Sequence, residues 1–322
     1  MIIFIGPNRQ RGNVKRLRLH PKAPPYKFRS YNWLYRTFKL PSATYVFTGI
    51  DRLDFNERRL AGKIYRHIKD AGEGFLALND PAHAMGRYAL LKSLHAAGIN
   101  KFDVYLGSSQ PKPTNFPVFI RRNSTSTMPL TDLIQTQPEL DEVLQRLCDF
   151  GEPLDDLIVI EFCAEPVSDG VYRKYSSYFA AGKTVLNWSA FEKRWMVKDT
   201  IMGIVADQVY LDEYSIVEQN AFAEEVKTVF TIAGIEYGRV DFGVVSGRPQ
   251  FYEINFNSNF QTISPSSVIG ARKKTVELVL DRHIANLAAL SSSSGCAINN
   301  IVDPEITAFR LRPWRNYAPQ RY

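Results

Sequence analysis

The 322-residue chain carries three cysteines, Cys148, Cys163 and Cys296. They are widely spaced, with no paired or metal-ligand pattern. This excludes a disulfide framework and a cysteine zinc site, and it leads to the expectation of a reducing cytoplasm. Gly-Lys-Ser/Thr and Gly-x-Gly-x-x-Gly are both missing, so neither a P-loop nor a dinucleotide fingerprint is available. His20, His67, His83, His95 and His283 fall into no Ser/His/Asp or metal spacing. No apolar run approaches the roughly 20 residues of a membrane span, so no membrane partner is expected. Met1-Ile-Ile-Phe-Ile-Gly-Pro lacks a basic leader and a small-residue cleavage site; it reads as a first buried strand and not as a secretory signal.

Acid is missing where base is densest. Residues 1–50 hold no Asp or Glu but ten of the 40 Lys and Arg, all between Arg9 and Lys39. Tyr26, Tyr31, Trp33 and Tyr35 are interleaved with them. Such a segment is either a solvated face or a surface for a polyanion such as RNA or an RNA-linked substrate. A smaller acid-free tail, Phe309 to Tyr322, adds Arg310, Arg312, Arg315 and Arg321.

The most informative stretch runs from Tyr237 to Phe260 and predicts a β-hairpin. Val240–Val245 and Gln250–Asn255 are strand-like, with the turn at Ser246-Gly247-Arg248. Centred on Gly247, such a hairpin sets Asp241 opposite Glu253 and, two residues on, Arg239 opposite Asn255, all on one face. Two carboxylates facing each other on a ladder repel. Either they are solvated on an exposed face, or a cation lies between them. An Asp, a Glu and an Asn amide are the hard oxygen donors that Mg²⁺ takes together with phosphate oxygens.

The rest of the chain reads as alternating strands and helices. Strands are expected at Ile2–Ile5, Thr44–Thr48 and Gly74–Leu78, and helices at Asn56–Ala71 and Met85–Ala97, the latter stopped by Gly98. This pattern predicts a small parallel α/β lobe over residues 1–110. Gly107–Pro117, with three prolines, reads as a linker to a central lobe over 111–190. That lobe would hold strands at Val118–Arg121 and Leu157–Cys163, a helix at Leu140–Leu147 and a hairpin around Gly182. A third lobe, 191–322, would contain a helix from Glu218 to Ala233, the Asp241/Glu253 hairpin, a helix from Val276 to Leu290 and an irregular basic tail.

Phe116-Pro-Val-Phe-Ile-Arg121, Val159-Ile-Glu-Phe162 with Asp169-Gly170, and Gly238-Arg-Val-Asp-Phe-Gly243 with Phe251-Tyr-Glu-Ile-Asn255 follow one another in the order of the ATP-grasp superfamily. The last pair resembles the Arg-x-Asp … Glu-x-Asn element of D-alanine–D-alanine ligase and its relatives. The resemblance covers roughly residues 75–270. It implies an α/β and α+β architecture, an N-terminal α/β lobe followed by two α+β lobes that enclose ATP.

The resemblance also implies roles. Asp241, Glu253 and Asn255 would hold Mg²⁺, and Arg87 and Arg121 would bind phosphate. Glu161-Phe162-Cys163 would be the adenine hinge, and Glu165 a ribose acceptor. Lys174, beside Arg173, would lie near phosphate or substrate, as would Asn257. Arg239 would stabilise a tetrahedral transition state. For each of the peripheral residues a surface ion pair or a loop cap is the alternative. The loop Arg122–Met128 stands where the family has a glycine-rich phosphate cover, yet it contains no glycine. The implied activity is an ATP- and Mg²⁺-dependent ligation of a small carboxylate to an amine through an acyl phosphate. A kinase acting on a hydroxyl, or a nucleotide-binding protein working through its basic segment, are the alternatives. A homodimer is compatible with the sequence, which encodes no legible oligomeric state.

Overall fold

The computed structural model describes residues 1–125, 127–198, 204–256, 270–291 and 298–311. The apolar opening forms β1 (Ile2–Gly6), buried at every position as a central parallel strand must be. After the short helix α1 (Arg11–Lys15) comes β2 (Tyr26–Ser30), then α2 (Tyr31–Arg36), capped by the Ser30 hydroxyl. The short β3 (Lys39–Pro41) precedes β4 (Thr44–Phe47). The helix α3 (Phe55–Lys69) starts with a reciprocal Asp54/Glu57 capping box and buries Leu60, Ile64 and Ile68. With β5 (Leu76–Leu78) these strands make a four-stranded parallel sheet in the order β2-β1-β4-β5.

The helix α4 (Arg87–Ala96) leads to a second, three-stranded sheet of β6 (Val104–Leu106), β7 (Val118–Arg122) and β8 (Leu157–Glu161), in the antiparallel order β6-β8-β7. The helix α5 (Gln137–Asp149), capped by Thr136, packs Leu140, Val143 and Leu144 on its apolar face. Because β6 pairs with β8, the proline-rich segment 107–117 is a loop inside this lobe and not a linker into it.

The third sheet has six strands: β9 (Pro166–Ser168), β10 (Val171–Ala180), β11 (Lys183–Leu186), β12 (Ala190–Glu192), β13 (Tyr237–Val245) and β14 (Arg248–Asn255). The strands between residues 166 and 192 therefore share a sheet with the Asp241/Glu253 hairpin, instead of closing the central lobe. The helices α6 (Asp207–Glu218), α7 (Ala223–Ala233) and α8 (Gly270–Leu290) accompany this sheet. The single helix expected from Glu218 to Ala233 is interrupted, since Asn220 and Phe222 take positive φ. A tertiary demand wins there: the Asn220 side chain accepts from Leu186 N and donates to the Thr184 hydroxyl. Part of the tail is also regular. The strand β15 (Ile298–Asn300) pairs with β3, and α9 (Pro304–Arg310) is capped by Asp303 and sits on α2, where Arg310 donates to the Tyr35 carbonyl.

Two fully or nearly buried asparagines tie the lobes together. Asn79 bridges the carbonyls of Phe47 and Tyr237 and accepts from the amides of Glu236 and Tyr237. Asn100 exchanges two hydrogen bonds with the backbone of Phe251, at 2.8 and 2.9 Å. Each side chain mimics a missing strand partner and so satisfies backbone that would otherwise be buried unpaired. No described helix is long and apolar enough to cross a membrane.

Candidate active site

The hairpin β13–β14 turns on two residues. Ser246 and Gly247 both have positive φ (49° and 76°), the backbone of a tight primed hairpin turn. That turn sets Phe242 opposite Phe251, a register that would put Asp241 against Tyr252. An irregularity between Asp241 and Phe242 leaves Tyr252 as the extra residue of a bulge, and beyond it Asp241 faces Glu253 and Arg239 faces Asn255. The Tyr252 hydroxyl donates to the Cys163 carbonyl at 3.0 Å, which fastens the bulge to the end of β8.

The repulsion between the acids is relieved by side chains. Arg239 clasps Asp241 with Nε at 2.9 Å and Nη2 at 3.3 Å, and Lys174 Nζ lies 3.5 Å from the same carboxylate. Lys174 arrives on β10, whose Ser176 is the cross-strand neighbour of Asp241. On the other side Arg87 Nη2 donates to Glu253, and Arg121 Nη2 lies 3.9 Å away. Burial alone would raise the Glu253 pKa, but Arg87, Arg121 and Lys174 outweigh it and hold this carboxyl well below the usual range. Burial pushes the Arg121 guanidinium down to about 10, with nearby Arg87 adding to the effect and Glu253 opposing it. For Arg239 burial lowers the pKa, but Asp241 more than reverses this and the guanidinium is held above its ordinary value.

Arg87 is placed by the start of α4 and also organises the glycine-free loop. Its Nη1 donates to the carbonyls of Arg122, Asn123 and Thr125. The Asn123 side chain accepts from Tyr88 N, and Ser124 donates to Asp156 through both its amide and its hydroxyl. Arg122 forms an ion pair with Glu152, so this arginine serves the loop's anchorage while Arg121 faces the acids. The loop is thus pinned by side chains and needs no glycine to hold its course. Arg87 Nε and Arg121 Nε are buried with no hydrogen-bond partner among the described residues.

The acid pair and part of its cationic surround border one cleft. Its walls include Arg121, Glu161, Phe162, Cys163, Lys174, Asp241 and Glu253, so the structure gathers seven of the residues singled out in the sequence around one space. Arg87 and Arg239 join through their bonds to Glu253 and Asp241. Glu165 does not line the cleft; its carboxylate accepts from the amide and hydroxyl of Ser246 at the hairpin tip. The Glu161 carboxylate is likewise engaged elsewhere, accepting from Asp103 N, Thr114 N, Asn115 N and Nδ2, and the Tyr105 hydroxyl. Burial opposes its charge, but these bonds together keep its pKa below the ordinary value. Asn257 lies outside the described residues.

The segment Trp195–Lys198 completes the cleft and was missed from the sequence. Trp195 packs against Phe119 and Phe162 with centroids 4.8 and 5.5 Å apart, giving one end of the cleft an aromatic wall. Lys198 lines the same space. Burial lowers its pKa, Glu253 raises it, and Arg121, Lys174 and Arg87 lower it further, which marks its place among them. The available signal was the run Lys193-Arg-Trp-Met-Val-Lys198, cations around an aromatic residue in an irregular stretch. Five cations (Arg87, Arg121, Lys174, Lys198 and Arg239) therefore surround two carboxylates.

Fixed positive charge beside an aromatic wall matches the chemistry of a polyanion with an apolar ring attached. The donor set of the site also fits a hard divalent cation: Asp241, Glu253 and Asn255 place oxygens on one face, and phosphate oxygens would complete the shell. Among the described residues no group of three His, Cys, Asp or Glu side chains has metal-binding geometry by itself.

The fold, an α/β lobe followed by two α+β units, is similar to that of a solved ligase. The solved D-alanine–D-alanine ligase from Bacillus anthracis, complexed with ATP, matches 90% of this chain and 95% of its own length, with a TM-score of 0.50 and 13% identity. The D-cycloserine synthetase DcsG (TM-score 0.47, 12% identity) covers 89% of this chain and 100% of its own, and the VanG D-Ala:D-Ser ligase from Enterococcus faecalis (0.47, 12%) covers 90% and 98%. No family model and no curated protein matches the sequence.

Proposed function

We propose that the protein is an ATP- and Mg²⁺-dependent ligase that joins a small carboxylate to an amine through an acyl phosphate. The observation that carries this reading is the convergence of five cations on the Asp241/Glu253 pair, beside an aromatic-walled cleft. Polyphosphate out of water needs fixed positive charge, and the unpartnered Nε groups of Arg87 and Arg121 are donors waiting for an acceptor. The ring wall of Phe119, Phe162 and Trp195 suits a purine. When bound, Mg²⁺ held by Asp241, Glu253 and Asn255 would supply charge neutralisation and orientation of phosphate.

The substrate carboxylate oxygen attacks the γ-phosphorus of ATP and ADP leaves. The amine then attacks the acyl carbon; the C–N bond forms, the C–O bond to phosphate breaks, and the amine's proton is lost as phosphate departs. Arg87, Arg121, Lys174 and Lys198 orient the phosphates. Arg239, fixed by Asp241, presents charge to the tetrahedral centre. Catalysis rests on positioning and charge, with no protein nucleophile.

The test is release of ADP and phosphate that depends on both a carboxylate and an amine, in a screen of amino acids. Trapping by hydroxylamine identifies an acyl phosphate, whereas a hydroxylamine-stable phosphorylated product would mean a kinase. The Asp241→Ala and Glu253→Ala variants are expected to lose Mg²⁺-dependent nucleotide binding; binding that survives both refutes the site.

A further inference from the structure

The basic segment that precedes β2 lies outside the cleft and has no part in the chemistry above. Its exposed face is almost purely cationic. Arg11, Lys15, Arg16 and Arg18 are all exposed, and none has an acid within ion-pair distance among the described residues. Just beyond them, Asp281 meets His20 at 3.5 Å and Lys22 at 3.7 Å. Four like charges within eight residues of chain repel one another, and among the described residues no carboxylate forms an ion pair with them.

The apolar side of the same segment is already used. Val14 and Leu17 are 7% and 1% exposed, packed in a cluster with Phe4, Val46 and Leu287. A membrane-surface helix needs a free apolar face beneath its cations, and here that face belongs to the core. Leu19 is the large apolar side chain left exposed in this stretch. Two guanidinium groups sit on half-buried aromatic rings at the neighbouring strand and helix: Arg18 over Tyr26 at 5.8 Å and Arg29 over Trp33 at 5.3 Å. Guanidinium forks match phosphate, and guanidinium–ring pairs offer flat surfaces on which unpaired bases stack. The segment also starts at the carboxyl edge of the parallel sheet, the edge at which open α/β sheets bind their ligands. There Gln10 and Pro7 pack so closely on Gly49 that a Cβ would fall 2.3 Å from the Gln10 amide oxygen.

We propose that Arg11, Lys15, Arg16 and Arg18, with the Arg18–Tyr26 and Arg29–Trp33 stacks, form a binding surface for the phosphodiester backbone of a single-stranded nucleic acid. RNA and DNA share this chemistry.

The experiment is fluorescence anisotropy of the full chain with labelled 20-nucleotide single strands of RNA and of DNA, across a salt series. The comparison variant carries Arg11→Gln, Lys15→Gln, Arg16→Gln and Arg18→Gln. A control of equal net charge carries Lys112→Gln, Arg146→Gln, Lys183→Gln and Arg248→Gln, all exposed positions far from this segment in sequence. Each phosphate contact on a single strand contributes about 0.7 to the slope of log K against log salt, so the first variant should lose about 3 from that slope. Its affinity should fall roughly a hundredfold or more at 0.1 M salt, while the control keeps most of the wild-type affinity. Unchanged nucleotide binding in the first variant shows that the fold and cleft persist. Equal affinity for RNA and DNA supports backbone recognition, and preference for RNA supports it with the 2′-hydroxyl as an added contact. The proposal is overturned if the wild-type protein binds neither strand at 50 mM salt, or if both variants lose affinity equally. Tighter binding of a duplex, or of vesicles rich in anionic lipid, than of the single strands overturns it as well.

Discussion

Arg87 joins three things at once: the start of α4, the carbonyls of the loop at 122–125, and Glu253. A lysine would keep the charge but could not span the loop and the carboxylate with one planar fork. The Arg87→Lys variant should therefore separate these partners. Losing one hydrogen bond that involves a charged group, at about 1.5–3 kcal/mol, predicts a rise of roughly ten- to a hundredfold in the KM for ATP. The loop should also become accessible, with new cleavage between Asn123 and Met128 in limited proteolysis. A KM within twofold of wild type together with an unchanged digest would show that the loop is held by Asp156 and Glu152 alone.

At the scale of elements, the third sheet is fastened by a buried charge cluster beside the cleft. Glu213 of α6 and Arg272 of α8 are both fully buried and paired through two bonds at 2.9 Å, and Arg272 also reaches the Ser189 carbonyl. Arg173 approaches the same glutamate at 4.0 Å and donates to the Ser189 hydroxyl. Removing one partner strands the other in low dielectric, so Glu213→Ala should cost about 3–5 kcal/mol in chemical denaturation. The double change Glu213→Leu with Arg272→Met should recover most of that loss, because two apolar side chains need no counter-charge. Equal instability of the single and double variants would place the value of this cluster in packing and not in charge.

The hairpin shows what a sequence can and cannot specify. Its strands and the facing acids were legible from period-two alternation around Gly247. The true turn is Ser246-Gly247, without Arg248, and the bulge at Tyr252 restores the register that the shorter turn would have shifted. Two departures cancel, and nothing in Gln250–Asn255 announces the second. The α/β opening was legible because β1, β4, α3 and α4 keep clean patterns. The short α1, β2 and α2 were hidden by a charge density that masks periodicity. Lobe limits at 110 and 190 were drawn from prolines and spacing, whereas sheet membership follows hydrogen bonds formed far along the chain. Trp195 and Lys198 reach the cleft by the course of an irregular segment, which periodicity cannot see.

For the whole molecule, acid sensitivity follows from a buried histidine that does not line the cleft. His283 on α8 stacks on Tyr178 of β10 at 4.1 Å, and burial drives its pKa down to about 3. In the unfolded chain a histidine titrates near 6.5, so between those values the unfolded state binds the extra proton. The neutral imidazole thus contributes stability that is fully present above about pH 6.5 and is lost as pH falls toward 3. The slope is about 1.4 kcal/mol per pH unit from this residue alone. Glu253, whose folded pKa is also depressed, acts in a lower window: its contribution is present above about pH 4.3, the unfolded carboxyl value, and fades only below that. The two windows can be separated. Urea denaturation of the wild-type protein from pH 7.5 to pH 4.5 should show stability declining from about pH 6.5 downward. In His283→Phe, which keeps an aromatic ring on Tyr178, the decline between pH 6.5 and pH 4.5 should flatten by that same slope. An undiminished decline in the variant would assign the acid limb to other groups and remove His283 from the account.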